Sequence, residues 1–294
     1  MKYILTFSLF TILFSCKTDV KQEGVKEKDL KTEVKREIKK ESTSIKVAYL
    51  KSLLSQADTL TSDQAQGIDQ NFKINGQNLG INALIAQQLE DIMQQPDIAN
   101  YDLDSLLRHE YLNITISEDK RLGIFSWYDN NGGTWSIYDN VIFYKTAAND
   151  FKTHKDLTLE NNPNSYYPSS AKCKKIYKLK STNNKDLYLC IWSSSGCSTC
   201  CAQIASVIEI TDNSILFEYP AFTNSNLEKV SDITIDSRCG DIEKFEFNPS
   251  SEIISYRYLV DDNTPLNDSK YPVGKVISGK YKWNGVKFVE EVVK

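Results

Sequence analysis

The feature that most limits the folds open to this 294-residue chain is a change in the spacing of its apolar residues at Tyr111. Before it, Val47, Leu50, Leu53 and Leu54 fall on one helical face, and so do Ile81, Leu84, Ile85, Leu89, Ile92 and Met93, a run stopped by Pro96. A further short helix is expected over Leu103–Leu107. After Tyr111 the period becomes two: Leu112-Asn113-Ile114-Thr115-Ile116, then the charged turn Glu118-Asp119-Lys120, then Leu122 to Trp127. A Gly132-Gly133 turn leads to an extended run over Thr134–Lys145. Further strands are expected at Lys175–Lys180, Leu187–Trp192, Ala205–Ile210, Ile215–Tyr219, Ile242–Phe247, Ile253–Val260 and Gly279–Val289, separated by turns such as Thr182-Asn183-Asn184-Lys185, Asp212-Asn213-Ser214 and Asn284-Gly285. The 16 Tyr, 12 Phe and 4 Trp suit pleated, half-buried strands. The pattern predicts a mainly β body, an antiparallel meander that is curled or propeller-like to limit free edges, behind a small N-terminal helical part. Residues 146–172 show no period and read as a long exposed loop.

The chain opens with an address. Lys2 precedes an apolar run from Tyr3 to Phe14, shorter than the roughly 20 residues a bilayer span needs, which is the pattern of a secretory signal peptide. Leu13-Phe14-Ser15-Cys16 resembles the lipobox of bacterial lipoproteins, with Leu three places and a small residue one place before the cysteine. The resemblance implies that residues 1–15 are removed and that Cys16 carries lipid as the mature N-terminus. Residues 16–46 read as a charged linker: Lys17 to Lys46 holds ten Lys/Arg and seven Asp/Glu and no aromatic residue, too little apolar surface to offset the entropy of ordering. As a flexible coil it would reach roughly 30 Å. A helical segment at 47–110 and a β-rich body at 111–294 complete the expected organisation. The formal net charge of -4 divides into +1 at Lys2, +3 on the linker and -8 on the rest of the mature chain, which argues against a nucleic-acid partner.

Leaving Cys16 aside, six cysteines remain: Cys173, Cys190, Cys197, Cys200, Cys201 and Cys239. An even set in an exported chain reads first as disulfides of undetermined pairing. A four-residue turn at Thr182–Lys185 would set Ser181 opposite Asp186 and Cys173 opposite Ser194, near the Cys197–Cys201 cluster. A zinc site from Cys197, Cys200, Cys201 and one distant cysteine is a second reading, weakened by the missing second pair and the absence of a nearby His. A redox dithiol at Cys197/Cys200 is a third. Leu187–Trp192 followed by Cys197-Ser198-Thr199-Cys200 superficially resembles thioredoxin-like proteins, but the β-branched residues Ile204, Val207, Ile208 and Ile210 favour a strand where that family has a helix.

Other catalytic patterns are absent: no nucleophile elbow, phosphate-binding loop, zinc-protease motif or dinucleotide fingerprint occurs. Asp129 could begin a calcium loop, yet its fifth place is Gly133, which has no side-chain oxygen, and its twelfth is Asn140, where a bidentate Glu is needed. Asp261-Asp262-Asn263 with Asp268 offers oxygens that turn chemistry also explains. His109 beside Glu110 reads as a surface histidine. No catalytic residue, metal or cofactor is therefore expected.

The segment Leu122–Thr134, an aromatic-Ser-Trp strand with an Asp/Gly-rich turn, and the following Asp139-Asn140-Val141-Ile142 resemble a motif of uncharacterised β-rich lipoproteins of Bacteroidetes-type bacteria. Gly279–Val289 resembles their closing hairpin. The resemblance implies a fold and a location, with no activity attached. The expectation is thus an exported lipoprotein anchored through Cys16, most simply to the outer membrane, with its body in the periplasm or at the cell surface. Its body would be a binding or structural module for an envelope protein, a glycan or a small ligand. The alternative is an envelope enzyme, either a thiol oxidoreductase using Cys197/Cys200 or a hydrolase whose carboxylates the sequence does not locate.

Overall fold

A computed structural model describes residues 43–65, 73, 79–129, 137–148, 150–156, 171–195, 200–223, 229–238, 241–260 and 274–291, with the backbone alone at Ser62, Asp156, Cys200, Ser237 and Arg238. The helical part comprises α1 (residues 43–57), α2 (Ser62–Ala65), α3 (Ile81–Met93), a 3-10 turn at Ile98–Asn100 and α4 (Leu103–Leu107). The α3 helix ends where Pro96 prevents continuation, with the Gln94 N–H donating to Glu90 O as its last turn closes. Apolar residues three and four apart give α1 and α3 one buried face each, which includes Leu50, Leu53, Leu54, Ile85 and Leu89.

The rest is β-structure in three sheets. The first is a plain antiparallel meander of β1 (Leu112–Ile116), β2 (Leu122–Tyr128), β3 (Tyr138–Lys145) and β4 (Phe151–Asp156). The second joins β5 (Lys172–Lys178), β6 (Asp186–Ser195), β7 (Cys200–Ile210) and β11 (Asp232–Arg238) in the order β11-β7-β6-β5, and β8 (Ile215–Leu216) pairs with the end of β7. The third contains β9 (Phe222–Thr223), β10 (Lys229–Val230), β12 (Ile242–Asn248), β13 (Ile253–Leu259), β14 (Val276–Trp283) and β15 (Phe288–Glu291), in the order β10-β9-β15-β14-β13-β12. Pairing is antiparallel throughout except for β15 with β9. The described strands form no closed barrel.

Alternation along the strands decides how these pieces stack. On β2, Phe125 and Trp127 meet the buried faces of α1 and α3, while Leu122 and Ile124 point the other way. On β6, Tyr188, Cys190 and Trp192 meet Leu122 and Ile124, and Leu187, Leu189 and Ile191 meet Phe222, Phe247, Trp283 and Phe288 of the third sheet. The order of layers is therefore helices, first sheet, second sheet, third sheet. Both faces of β2 and β6 are covered, which is why their sequences read as nearly unbroken apolar runs. Each fully buried Leu, Ile or Phe contributes about 1.5–3 kcal/mol, so the double-faced strands carry much of the folding free energy.

Polar side chains fix the first two sheets to one another. Asn140 donates to Ala171 O (3.2 Å) and accepts from Ser126 Oγ (2.7 Å), while Asn113 and Thr115 donate to Cys173 O at 2.8 and 3.0 Å. These bonds surround a bulge between Cys173 and Lys175.

The structure corrects three expectations. Residues 146–172 are not all loop: Phe151–Asp156 is β4, recruited by the free edge of β3, with Phe151 against Phe143 and Lys155 on Glu90 at 2.7 Å. Residues 157–170 lie outside the described set. The expected strand Ile215–Tyr219 is only β8, and β9, β10 and β11 are additional. Cys173 faces Trp192 rather than Ser194, because the pairing of Lys178 with Tyr188 sets a longer connection and the bulge shifts the register again.

Candidate functional site

The β1–β2 turn builds one side of the candidate site. Ser117 Oγ donates to Asp119 Oδ1 (2.8 Å), the Arg121 N–H donates to the same oxygen (3.2 Å), and Lys120 takes the left-handed conformation (φ 56°) that lets the chain reverse. The turn thereby aims Asp119 and Arg121 at the β5–β6 hairpin. Arg121 Nη1 reaches Asp186 Oδ2 at 2.5 Å; Lys178 Nζ lies 3.0 Å from Asp119 and 3.1 Å from Asp186; the Tyr188 hydroxyl donates to Asp119 Oδ2 at 2.8 Å. Two carboxylates, two cations and a phenol thus form one network joining the first sheet to the second.

The network holds its two carboxylates and two cations in their charged forms. Partial burial alone would raise the carboxyl of Asp119, but hydrogen bonds from Ser117, Tyr188, Lys178 and the Arg121 N–H outweigh it and hold the group below the usual range. Burial opposes Asp186 in the same way, and Lys178 and Arg121 overcome it. The two cations are raised in turn: burial disfavours their charge, and the facing carboxylates more than compensate. Tyr188 is pushed far up, first by burial and then by its bond to Asp119, so it stays a neutral donor.

Beside this network opens a cleft of about 510 Å³. Its walls carry Arg121 and Asp186, the pair Lys185–Glu209 at 2.8 Å, and the polar groups of Thr146, Asn184 and Thr211, with Asp212 exposed at the rim. A second cleft of about 340 Å³ lies on the other side of Lys185–Glu209 and is lined also by Leu216, Tyr219, Pro220, Lys229, Val286 and Lys287. Lys185 Nζ sits 4.9 Å from the centroid of the Tyr219 ring, so one salt-bridged residue divides the two clefts. None of the cleft residues stands out by motif. Asp119 and Asp186 are 67 positions apart in the chain, and only the stacking of two sheets brings them together.

Residues singled out by the sequence fall elsewhere. Cys173 and Cys190 are free thiols, both buried where the second sheet meets the first, which departs from the expectation that all six body cysteines are bridged. Burial, and then contact with Cys173, pushes the Cys190 thiol well above its ordinary value, so Cys190 is not poised as a nucleophile. Cys201, on β7, is disulfide-bonded. The residues following Cys200 form a strand and not a helix, so the helix N-terminus that activates a thioredoxin-like thiol is missing from this position. Cys16, Cys197, Cys239, Gly132, Gly133, Asp261, Asp262, Asn263 and Asp268 lie outside the described residues. Among the described residues no three His, Cys, Asp or Glu side chains gather as a metal site.

His109 does have a hydroxyl partner, since its Nε2 lies 3.1 Å from the exposed Ser55 Oγ. The Tyr111 N–H donates to His109 Nδ1 (3.3 Å), which places the proton of a neutral imidazole on Nε2. The ring then donates to Ser55 and cannot take its proton, and burial lowers its pKa, which favours this neutral form. The pair ties α1 to the start of the β body. His154 lies against the Phe217 ring, 4.6 Å between centroids. Asn140, the twelfth place of the excluded calcium loop, is committed to the sheet–sheet bonds described above.

Compared with known proteins, the chain matches no family model, no curated protein and no solved structure.

Proposed function

We propose that this protein is an exported lipoprotein, held at a membrane through Cys16, whose β body binds a neutral polyhydroxyl ligand, an envelope glycan, in the cleft beside Arg121 and Glu209. The observation that carries the binding reading is the pairing of the charges on the cleft walls: Arg121 with Asp186 and Lys185 with Glu209. An anionic ligand would have to compete with the carboxylates already paired with Arg121 and Lys185. A neutral sugar does not. Its hydroxyls donate to the remaining carboxylate lone pairs and accept from the amide, guanidinium and hydroxyl donors without disturbing either pair. The location rests on the signal-like residues 1–15 and the Leu13–Cys16 lipobox.

Titration calorimetry with the full chain tests the binding claim. A neutral oligosaccharide, such as a hexamer of N-acetylglucosamine, should bind saturably, and a uronic-acid oligomer of equal length should bind at least tenfold more weakly. Glu209→Gln should weaken the neutral ligand about tenfold, the loss of one charge-assisted hydrogen bond at about 1.4 kcal/mol. Preference for the uronate, or no saturable binding to any neutral oligosaccharide, would remove the glycan reading.

A further inference from the structure

The second cleft differs from the first in one electrostatic respect. Lys185 is paired with Glu209, but Lys229 and Lys287 make no ion pair among the described residues, so three lysines face one carboxylate. Lys287 is half-buried in this position. Between these ammonium groups the surface is apolar: Leu216 is 42 % and Val286 45 % exposed, two large aliphatic side chains left open to solvent within one cleft, with Tyr219 and Pro220 beside them.

The walls are braced before any ligand arrives. Gly285 adopts a left-handed conformation (φ 93°) in the β14–β15 turn, and its carbonyl accepts from the Thr182 N–H at 2.9 Å and from the Thr182 hydroxyl at 3.2 Å. A Cβ at position 285 would lie 2.3 Å from Thr182 Cγ2, so the turn can seat against the β5–β6 connection only as glycine. The Tyr219 hydroxyl donates to Val286 O at 3.4 Å, joining the opposite wall. Val286 and Lys287 are thereby held facing Leu216 and Lys229.

We infer that this cleft is a binding site for an organic anion with an apolar body, a carboxylate or phosphate head on a short acyl or alkyl chain. The head lies between Lys229 and Lys287, where it supplies the missing counter-charge, and the chain covers Leu216 and Val286. A hydrophilic anion would leave the aliphatic walls wet, and an uncharged chain would leave both lysines without a counter-ion. The same reasoning that assigns a neutral ligand to the first cleft, where charges are paired, assigns an anion to this one. The two clefts share only the Lys185–Glu209 pair, and this inference rests on Lys229, Lys287, Leu216 and Val286, none of which lines the first cleft.

The test is a binding titration of the full chain, below the micellar concentration of each probe, with octanoate, octyl phosphate, octanol and acetate. Octanoate or octyl phosphate should saturate, whichever is tighter identifying the head as carboxylate or phosphate, and octanol and acetate should bind at least tenfold more weakly. Lys229→Met with Lys287→Met should reduce anion binding at least tenfold while leaving the melting temperature and any oligosaccharide binding unchanged, and Lys229→Arg with Lys287→Arg should retain it. Equal binding of octanol and octanoate, undiminished anion binding in the double Met variant with an intact fold, or no saturation by either anion would overturn the inference.

Discussion

Asn140 uses both amide hydrogens and its carbonyl inside the protein: the amide donates to Ala171 O and Tyr138 O, and the carbonyl accepts from the Ser126 hydroxyl. Ser126 and Asn140 are polar members of the strand motif that the sequence brings to notice, and both reach the second hairpin, since the Cys173 N–H donates to Ser126 Oγ at 3.4 Å and Asn140 donates to Ala171 O. The motif was legible because a Ser and an Asn interrupt apolar strands; its purpose was not, because the partners at 171 and 173 belong to another hairpin. Asn140→Ala leaves the Ala171 carbonyl and the Ser126 hydroxyl short of partners in a dry layer. With about 1–3 kcal/mol lost for each such group, the variant should be less stable by about 2–4 kcal/mol in urea unfolding, with the slope unchanged. A loss below about 1 kcal/mol would mean that water or a shifted side chain replaces the amide.

At the scale of elements, strands with both faces buried or with clean alternation follow from the sequence. β1 has the expected bounds, and β6, β13 and the β14–β15 hairpin lie where the apolar spacing puts them. β4 does not follow, because Phe151 is its one large aliphatic or aromatic residue apart from His154, and its pairing comes from the edge of β3. β11 carries a usable signal, the alternating Ile233-Thr234-Ile235, flanked by acids that disguise it as a loop. Which turns meet is a matter of layer stacking, so the Asp119–Arg121–Lys178–Asp186 network has no local signature. Its pH behaviour follows from the directions of its shifts. Asp119 and Asp186 titrate below their unfolded values, so their contribution to stability is complete above the unfolded carboxyl pKa of about 4 and fades as pH falls through the folded values. Lys178 titrates above its unfolded value, so its contribution holds below about 10.5 and fades only as pH rises through the raised value. Between these limits the network contributes evenly. Urea midpoints measured from pH 7 to pH 3 should therefore fall in the wild type below about pH 4, and the fall should be shallower in an Asp119→Asn, Asp186→Asn double variant. Parallel acid limbs in the two proteins would mean that these carboxylates are not stabilised by the fold.

The molecule as a whole combines segments with opposite requirements. The body stacks helices and three sheets so that two sheets have both faces covered, and the clefts open at its rim, where turns from different layers converge. The mainly β character and the helical N-terminal part are readable in the apolar periods; the order of layers is not, because it depends on contacts between residues far apart in the chain. Among the described residues no helix is long and apolar enough to cross a membrane. On the proposed reading, attachment is through lipid on Cys16. More than one acyl chain is needed for a stable anchor, at about 0.8 kcal/mol for each buried CH₂. On that reading, the basic residues 17–46 would be drawn to anionic headgroups and the acidic remainder of the mature chain would be repelled by them. Fractionation of a bacterium expressing the wild-type chain and Cys16→Ser, with mass determination of the N-terminal peptide, tests this arrangement most directly. The wild type should sediment with membranes and begin at an acylated Cys16, and Cys16→Ser should leave the membrane fraction. A Cys16→Ser protein that remains fully membrane-bound, or a wild-type Cys16 that carries no lipid, would contradict it.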